Sequence, residues 1–288
     1  MTAANDLRSR VASAYTGALE EARQSIAPDV AGYVLSDIAG LPSGVAASSF
    51  GCGNPVACGE IASGEIVVDL GSGAGMDLLL AARKVGLRGR VIGVDMTAAM
   101  IERARANIQA SGLGNIEVRQ GLIESLPVET ASVDWVISNC VLNLSPEKDR
   151  VFAEIVRVLK PGGRMLVSDI VVNGLPSWAR RGLGLYTACV AGAISEEAFV
   201  SGLEKAGLVN IEVRERLVYD ADQLAAIARE LGSDLMLPSA LRRAWVGERL
   251  MGMLARMLAG KVWSARFYAR KASSAEEAAA LFVGHIYA

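Results

Sequence analysis

Val67-Val68-Asp69-Leu70-Gly71-Ser72-Gly73-Ala74-Gly75-Met76-Asp77 is the stretch on which the reading of this chain turns. An apolar run ending in a carboxylate passes into three glycines at alternate positions and then into a helical pattern, so it reads as strand, tight turn and helix. Glycine lets the backbone turn and approach a ligand where a side chain would clash, and the amides at a helix start face that ligand. A dinucleotide fingerprint spaces its glycines G-x-G-x-x-G, with the third one residue further on. Here the form is G-x-G-x-G, which argues against a pyrophosphate-bearing cofactor.

Outward from that loop, apolar runs alternate with helical patterns. Strands are predicted over Ile66 to Leu70, Arg90 to Asp95, Ile116 to Gln120, Val133 to Asn139 and Gly163 to Ile170. Helices are predicted over Met76 to Val85, Ala98 to Ser111 and Lys148 to Leu159, with Lys160-Pro161-Gly162-Gly163 stopping the last. Strands alternating with helices of this length form βαβ units around a parallel sheet. A sixth strand over Asn210 to Arg216 and an antiparallel closing strand over 261–271 complete the expectation: an α/β, doubly wound, mostly parallel seven-stranded sheet of Rossmann-like type.

Three regions frame it. Residues 1–50 read as an N-terminal helical cap, with Leu7, Val11, Ala14, Tyr15, Ala18, Leu19 and Ala22 at helical spacing. Residues 51–216 form the core, including an excursion over 171–194 that covers a site. Residues 217–288 form a C-terminal helical region. Within it Arg242, Arg243, Arg249 and Arg256 lie among Trp245, Leu250, Met251, Met253, Leu254, Met257 and Leu258. Such a helix either packs against the core or touches a membrane surface, and packing is the commoner use of Met and Leu at helical spacing.

The composition narrows the partners. The chain has 288 residues, 52% of them hydrophobic, enough for one large core. With 29 Lys plus Arg against 31 Asp plus Glu it lacks the clustered positive excess that nucleic acid requires. No signal peptide or apolar span is expected, so a cytoplasmic monomer with a small-molecule substrate is anticipated. In that compartment the four cysteines are more often ligands, nucleophiles or core filler than structural bridges.

Asp69, Gly71, Ser72, Gly73, Gly75 and Asp77 are candidates for holding a nucleoside-type ligand. Asp95, followed by Met96, ends the second strand, where a carboxylate can accept from both ribose hydroxyls. Gly121-Leu122-Ile123-Glu124-Ser125-Leu126-Pro127 follows the third strand, and Ser138-Asn139-Cys140-Val141-Leu142-Asn143-Leu144 the fourth.

The glycine loop resembles the first motif of class I S-adenosylmethionine-dependent methyltransferases. Gly51-Cys52-Gly53-Asn54-Pro55, Ile137-Ser138-Asn139-Cys140-Val141 and Cys189-Val190-Ala191-Gly192-Ala193 narrow the likeness to arsenite S-adenosylmethionine methyltransferases, from about Tyr33 to Val213. The resemblance implies that S-adenosylmethionine is the methyl donor, with Asp69 ordering the loop and the methionine amine. An Asp that many of these enzymes use to read adenine is absent at Leu122, which leaves the Ile123 backbone or Glu124, and Asn139 lies beside the donor.

The resemblance further implies that Cys140 and Cys189 hold trivalent arsenic, with Cys52 as third ligand or redox partner. Glutathione or thioredoxin then restores the thiols. Soft trivalent arsenic prefers sulfur donors, and its lone pair is the nucleophile. Cys58 departs from the pattern and reads as filler on a helix face; a bridge to Cys52 is not decided by sequence, and His285 reads as tail structure. Two competing functions share the same core: a C- or O-methyltransferase of an apolar molecule such as a quinone, and a non-catalytic module that senses the donor or a thiophilic ion.

Overall fold

The structure is a computed structural model that describes residues 3–21, 33, 35–42, 45, 53–174, 189–190, 192–224, 253 and 255–274. Of the sequence expectations, those for Cys52, His285, most of the excursion over 171–194 and most of 217–260 lie outside the described residues.

After helices α1 (Ala3–Glu21), α2 (Leu35–Ile38) and α3 (Pro55–Cys58), the chain runs β1 (Ile66–Leu70), α4 (Met76–Val85), β2 (Arg90–Asp95), α5 (Ala98–Ser111), β3 (Ile116–Gln120) and β4 (Val133–Asn139). It continues through α6 (Lys148–Val158), β5 (Leu159–Val172), α7 (Glu196–Lys205), β6 (Leu208–Val218) and β7 (Val262–Lys271). The strands make one seven-stranded sheet in the order β3-β2-β1-β4-β5-β7-β6. β1 to β5 are parallel, and β7 is antiparallel to both β5 and β6. The strand order reverses between β1 and β4, which opens a crevice at their carboxyl ends.

Neighbouring β1 residues face opposite layers, and both layers are dry, as a parallel sheet requires. Val67 packs with Trp135, Ile137 and the α4 residues Leu78 and Leu79. Val68 and Leu70 pack on the other side with Val151, Phe152 and Ile155 of α6 and Phe199 of α7. Phe199 stacks on Phe267 at 4.0 Å and meets Phe152 edge-on at 5.3 Å, which anchors α7 and β7 to the same core. Truncating Phe199 to alanine would cost about 3–5 kcal/mol.

Glycines and caps set the helix limits. α4 starts after Gly75 and stops at Gly86, α5 stops at Gly112, all three with positive φ; α7 is capped by Ser195, whose hydroxyl accepts from the Ala198 amide at 3.1 Å. The start of β5 differs most from expectation. Lys160-Pro161-Gly162-Gly163 lies within β5, whose pairing with β4 shifts register there, so that Leu159 faces Val133 and Arg164 faces Trp135. Proline cannot donate to a ladder and Gly162 has a φ of 77°, so the strand bulges rather than starting later. Lys160 holds the bulge by an ion pair with Asp134 at 2.8 Å.

Candidate active site

A cleft of about 120 Å³ lies over the β1/β4 switch point. Its floor is the glycine loop. Gly71, Gly73 and Gly75 all have positive φ, at 67°, 51° and 91°. A Cβ on Gly71 would lie 2.4 Å from Val141, whereas one on Gly73 would meet nothing within 4 Å. The first glycine therefore permits loop and β4 turn to touch, and the second leaves its space to a ligand. The Ser72 hydroxyl is buried without a partner.

Asp69, Asp77 and Asp95 are buried beneath this loop. Loss of water pushes Asp69 well above the usual carboxylate range, with repulsion from Asp77 and Asp95 adding to it. Asp77 is pushed to about 6 by burial, although Tyr33 and Asn139 donate to it at 2.8 and 3.2 Å. Burial also raises Asp95, against bonds from the amides of Thr97 at 2.8 Å and Gly73 at 2.9 Å. Three crowded, dehydrated carboxylates make a place for a cationic ligand.

The other expected ligand-holding residues line the same cleft, but two are engaged with the protein. Met96 and Ile123 border it directly. Glu124 accepts from Arg8 at 2.9 Å and from the Ser145 hydroxyl at 2.6 Å. The Asn139 amide donates to Tyr33 at 2.9 Å and to the Gly53 carbonyl at 2.5 Å, and accepts from the Gly53 amide at 3.1 Å. Asn139 thus ties the segment before β1 to the end of β4. Arg8, which also pairs with Glu147, joins Val11 and Tyr15 of α1 in roofing the cleft.

Cys140 follows β4, where its amide bonds the Ser168 carbonyl of β5 at 2.8 Å. Cys189 donates its thiol to the Cys140 carbonyl at 2.8 Å. Both cysteines are buried, and both have left-handed backbones, with φ of 59° and 60°. Outside glycine that conformation is strained and concentrates at functional positions. Their sulfurs and a carboxylate oxygen of Asp169 all lie within 4.8 Å of one another. A soft atom bonded to both at about 2.3 Å would draw the sulfurs inside that limit.

The thiols differ in state. Cys140 is disulfide-bonded, whereas Cys189 and Cys58 are free. Burial pushes the Cys189 thiol well up, Asp169 adds to it, and a hydrogen bond with Tyr15 works against it. Cys58 is exposed rather than packed, and faces Arg266, so it is neither filler nor bridged. Sequence reasoning did not find Arg8, Tyr15, Tyr33, Asn143 or Asp169. The traceable signals were a tyrosine on the apolar face of α1 and a carboxylate inside an apolar strand, since both need partners when buried.

Among the described residues no helix is long and apolar enough to cross a membrane. The glycine turn, the strand-end carboxylates and the 3-2-1-4-5-7-6 sheet agree with a family match: residues 61–207 match the methyltransferase domain. The chain belongs to that family and has the class I methyltransferase fold.

Within the family its likeness is to the arsenite methyltransferases. It is 48% identical to the arsenite methyltransferase of Halobacterium salinarum over 63% of this chain and 46% of that protein. It is 40% identical to that of Aquipseudomonas alcaligenes over 52% and 45%. The crystal structure of CrArsM, an arsenic(III) S-adenosylmethionine methyltransferase from Chlamydomonas reinhardtii, superposes with a TM-score of 0.63 at 34% identity, covering 82% of this chain and 73% of that one. The chain spans about half the length of the curated relatives it matches.

Proposed function

We propose that this chain transfers a methyl group from S-adenosylmethionine to trivalent arsenic held by Cys140 and Cys189. The observation that carries the reading is the approach of the two cysteine sulfurs within 4.8 Å, both on strained backbones, at the edge of the glycine-loop cleft. A quinone methyltransferase has no need of that pair, and a thiophilic-ion sensor, which would share it, is separated by whether S-adenosylhomocysteine forms.

S-adenosylmethionine, when bound, supplies an electrophilic methyl group on a sulfonium. The residues present suit it: the crowded carboxylates of Asp69, Asp77 and Asp95 complement a cationic ligand, and Asp95 retains lone pairs for ribose hydroxyls. Gly73 and the unpartnered Ser72 hydroxyl leave room and a donor at the loop. The Ile123 backbone is the adenine reader, because Glu124 is spent on Arg8 and Ser145.

Cys189 enters as a protonated thiol, and this suits the chemistry. Each As–OH bond exchanged for As–S takes the thiol proton away in water, so no general base is required. Cys140 must first be reduced, which gives glutathione or thioredoxin its place, and Cys52 supplies the third thiol of the site as ligand or redox partner. The cytoplasm, with its reducing pool, is the fitting compartment, and the chain acts as a monomer. Held by the sulfurs, arsenic presents its lone pair to the methyl group, and proximity of this kind is worth up to roughly 7–11 kcal/mol.

The test incubates reduced protein with arsenite, S-adenosylmethionine and glutathione and looks for methylated arsenic and S-adenosylhomocysteine by mass spectrometry. Both products are expected. Ligand binding without S-adenosylhomocysteine would indicate a sensor, and methylation of a quinol instead of arsenic would indicate the other enzyme.

A further inference from the structure

A carboxylate in the interior of an inner strand is costly to bury, and β5 carries one beside the cysteines. Asp169 is fully shielded from solvent. Its Oδ1 accepts from the Asn143 side-chain amide and from the Ile170 amide, each at 2.8 Å, and its Oδ2 accepts from the Asn143 backbone at 3.2 Å. Neutral donors thus fix its plane without neutralising it. Among the described residues the cation that acts on it is Lys148, whose ammonium donates to the carbonyls of Ser145 at 2.9 Å and Asn143 at 3.3 Å. A structural latch for the turn at Asn143 would need only a neutral acceptor. The position instead puts a negative charge within 4.8 Å of both sulfurs.

We propose that Asp169 is the counter-charge for arsenic during methyl transfer, a role that rests on the arsenic reading above. As the arsenic lone pair forms the As–C bond, the methyl–sulfur bond breaks and its electron pair stays on sulfur. The donor sulfur becomes a neutral thioether, and the positive charge arrives on arsenic. A fixed carboxylate beside the sulfurs favours that displacement of charge more than it favours the ground state, which is the condition for rate acceleration. Because it is already oriented by Asn143 and Ile170, it needs no rearrangement as the charge moves.

Asp169→Asn keeps the shape and an acceptor for Asn143 and removes the charge. Arsenite affinity, read by equilibrium dialysis of the reduced protein, is expected to stay at the wild-type value. The single-turnover rate of methyl transfer on preloaded arsenic is expected to fall by about 10² to 10³, the usual effect of losing one preorganised group. An unchanged rate, or a loss of arsenite affinity that accounts for the lower rate, overturns the proposal. If Asp169→Asn does not fold by circular dichroism, Lys148→Met decides. At about pH 8, where Asp169 stays ionised without the cation that lowers its pKa, it removes the opposing charge, so a faster single turnover is expected, and an equal or slower one overturns the inference. Wild-type protein that methylates no arsenic would refute the underlying function, whereas active wild type with an equally active Asp169→Asn refutes this inference alone.

Discussion

The thiol of Cys189 donates to the backbone carbonyl of Cys140 at 2.8 Å, so two residues 49 positions apart are tied through main chain while their sulfurs lie within 4.8 Å of each other. Each pays for its position with a left-handed backbone that no glycine relieves. Under the proposed function the buried pair is kept in that geometry for its sulfur atoms rather than for packing.

Tyr15 tunes one of those atoms from the roof of the cleft. Its hydrogen bond lowers a Cys189 pKa that burial and Asp169 raise. Tyr15→Phe is therefore expected to move the thiol further up, shifting the pH profile of Cys189 alkylation by iodoacetamide to higher pH. A profile unchanged from wild type would show that the hydroxyl does not serve the sulfur.

Gly71 and Gly73 are expected to respond unequally to alanine. Gly71→Ala places a methyl 2.4 Å from Val141 at a φ of 67°, so it strains the fold and displaces the turn that carries Cys140; a loss of about 1–3 kcal/mol in urea unfolding is expected. Gly73→Ala meets no protein atom within 4 Å. It is expected to lower S-adenosylmethionine affinity by calorimetry at least about tenfold, for about 1–2 kcal/mol of stability.

Asp77 gives a pH dependence of definite sign. Its folded pKa of about 6 lies above the ordinary 3.8, so between those values the folded state binds the extra proton. Stability contributed by this group falls as pH rises through that window and is constant above it, a change of about 3 kcal/mol in all. Asp77→Asn should remove this component, so the difference between mutant and wild-type unfolding free energies should grow from pH 4 to about 6 and then level. A flat difference would show that the carboxylate is not dehydrated.

The sheet was legible because its signal is local and repeated. β1, α4, β2, α5, β3 and β4 have the limits that the apolar periodicity and glycines indicated. The bulge in β5 was not legible, since Pro-Gly-Gly reads as a stop whether or not its flanks continue pairing. In the site, the glycine turn and its carboxylates could be read from one segment. The engagement of Asn139 with Gly53 and of Glu124 with Arg8 could not, because those contacts span 86 and 116 residues. Asp169 was hidden for a related reason: a strand residue shows its burial in sequence only through apolar neighbours, not through what stands opposite.

The decisive measurement is arsenite binding and turnover in four proteins side by side under glutathione: wild type, Cys140→Ser, Cys189→Ser and Cys58→Ser. Methylated arsenic by mass spectrometry is expected from wild type and Cys58→Ser at similar rates. Cys140→Ser and Cys189→Ser are each expected to lose arsenite affinity and product formation together. Undiminished methylation by either of those two variants would contradict the account.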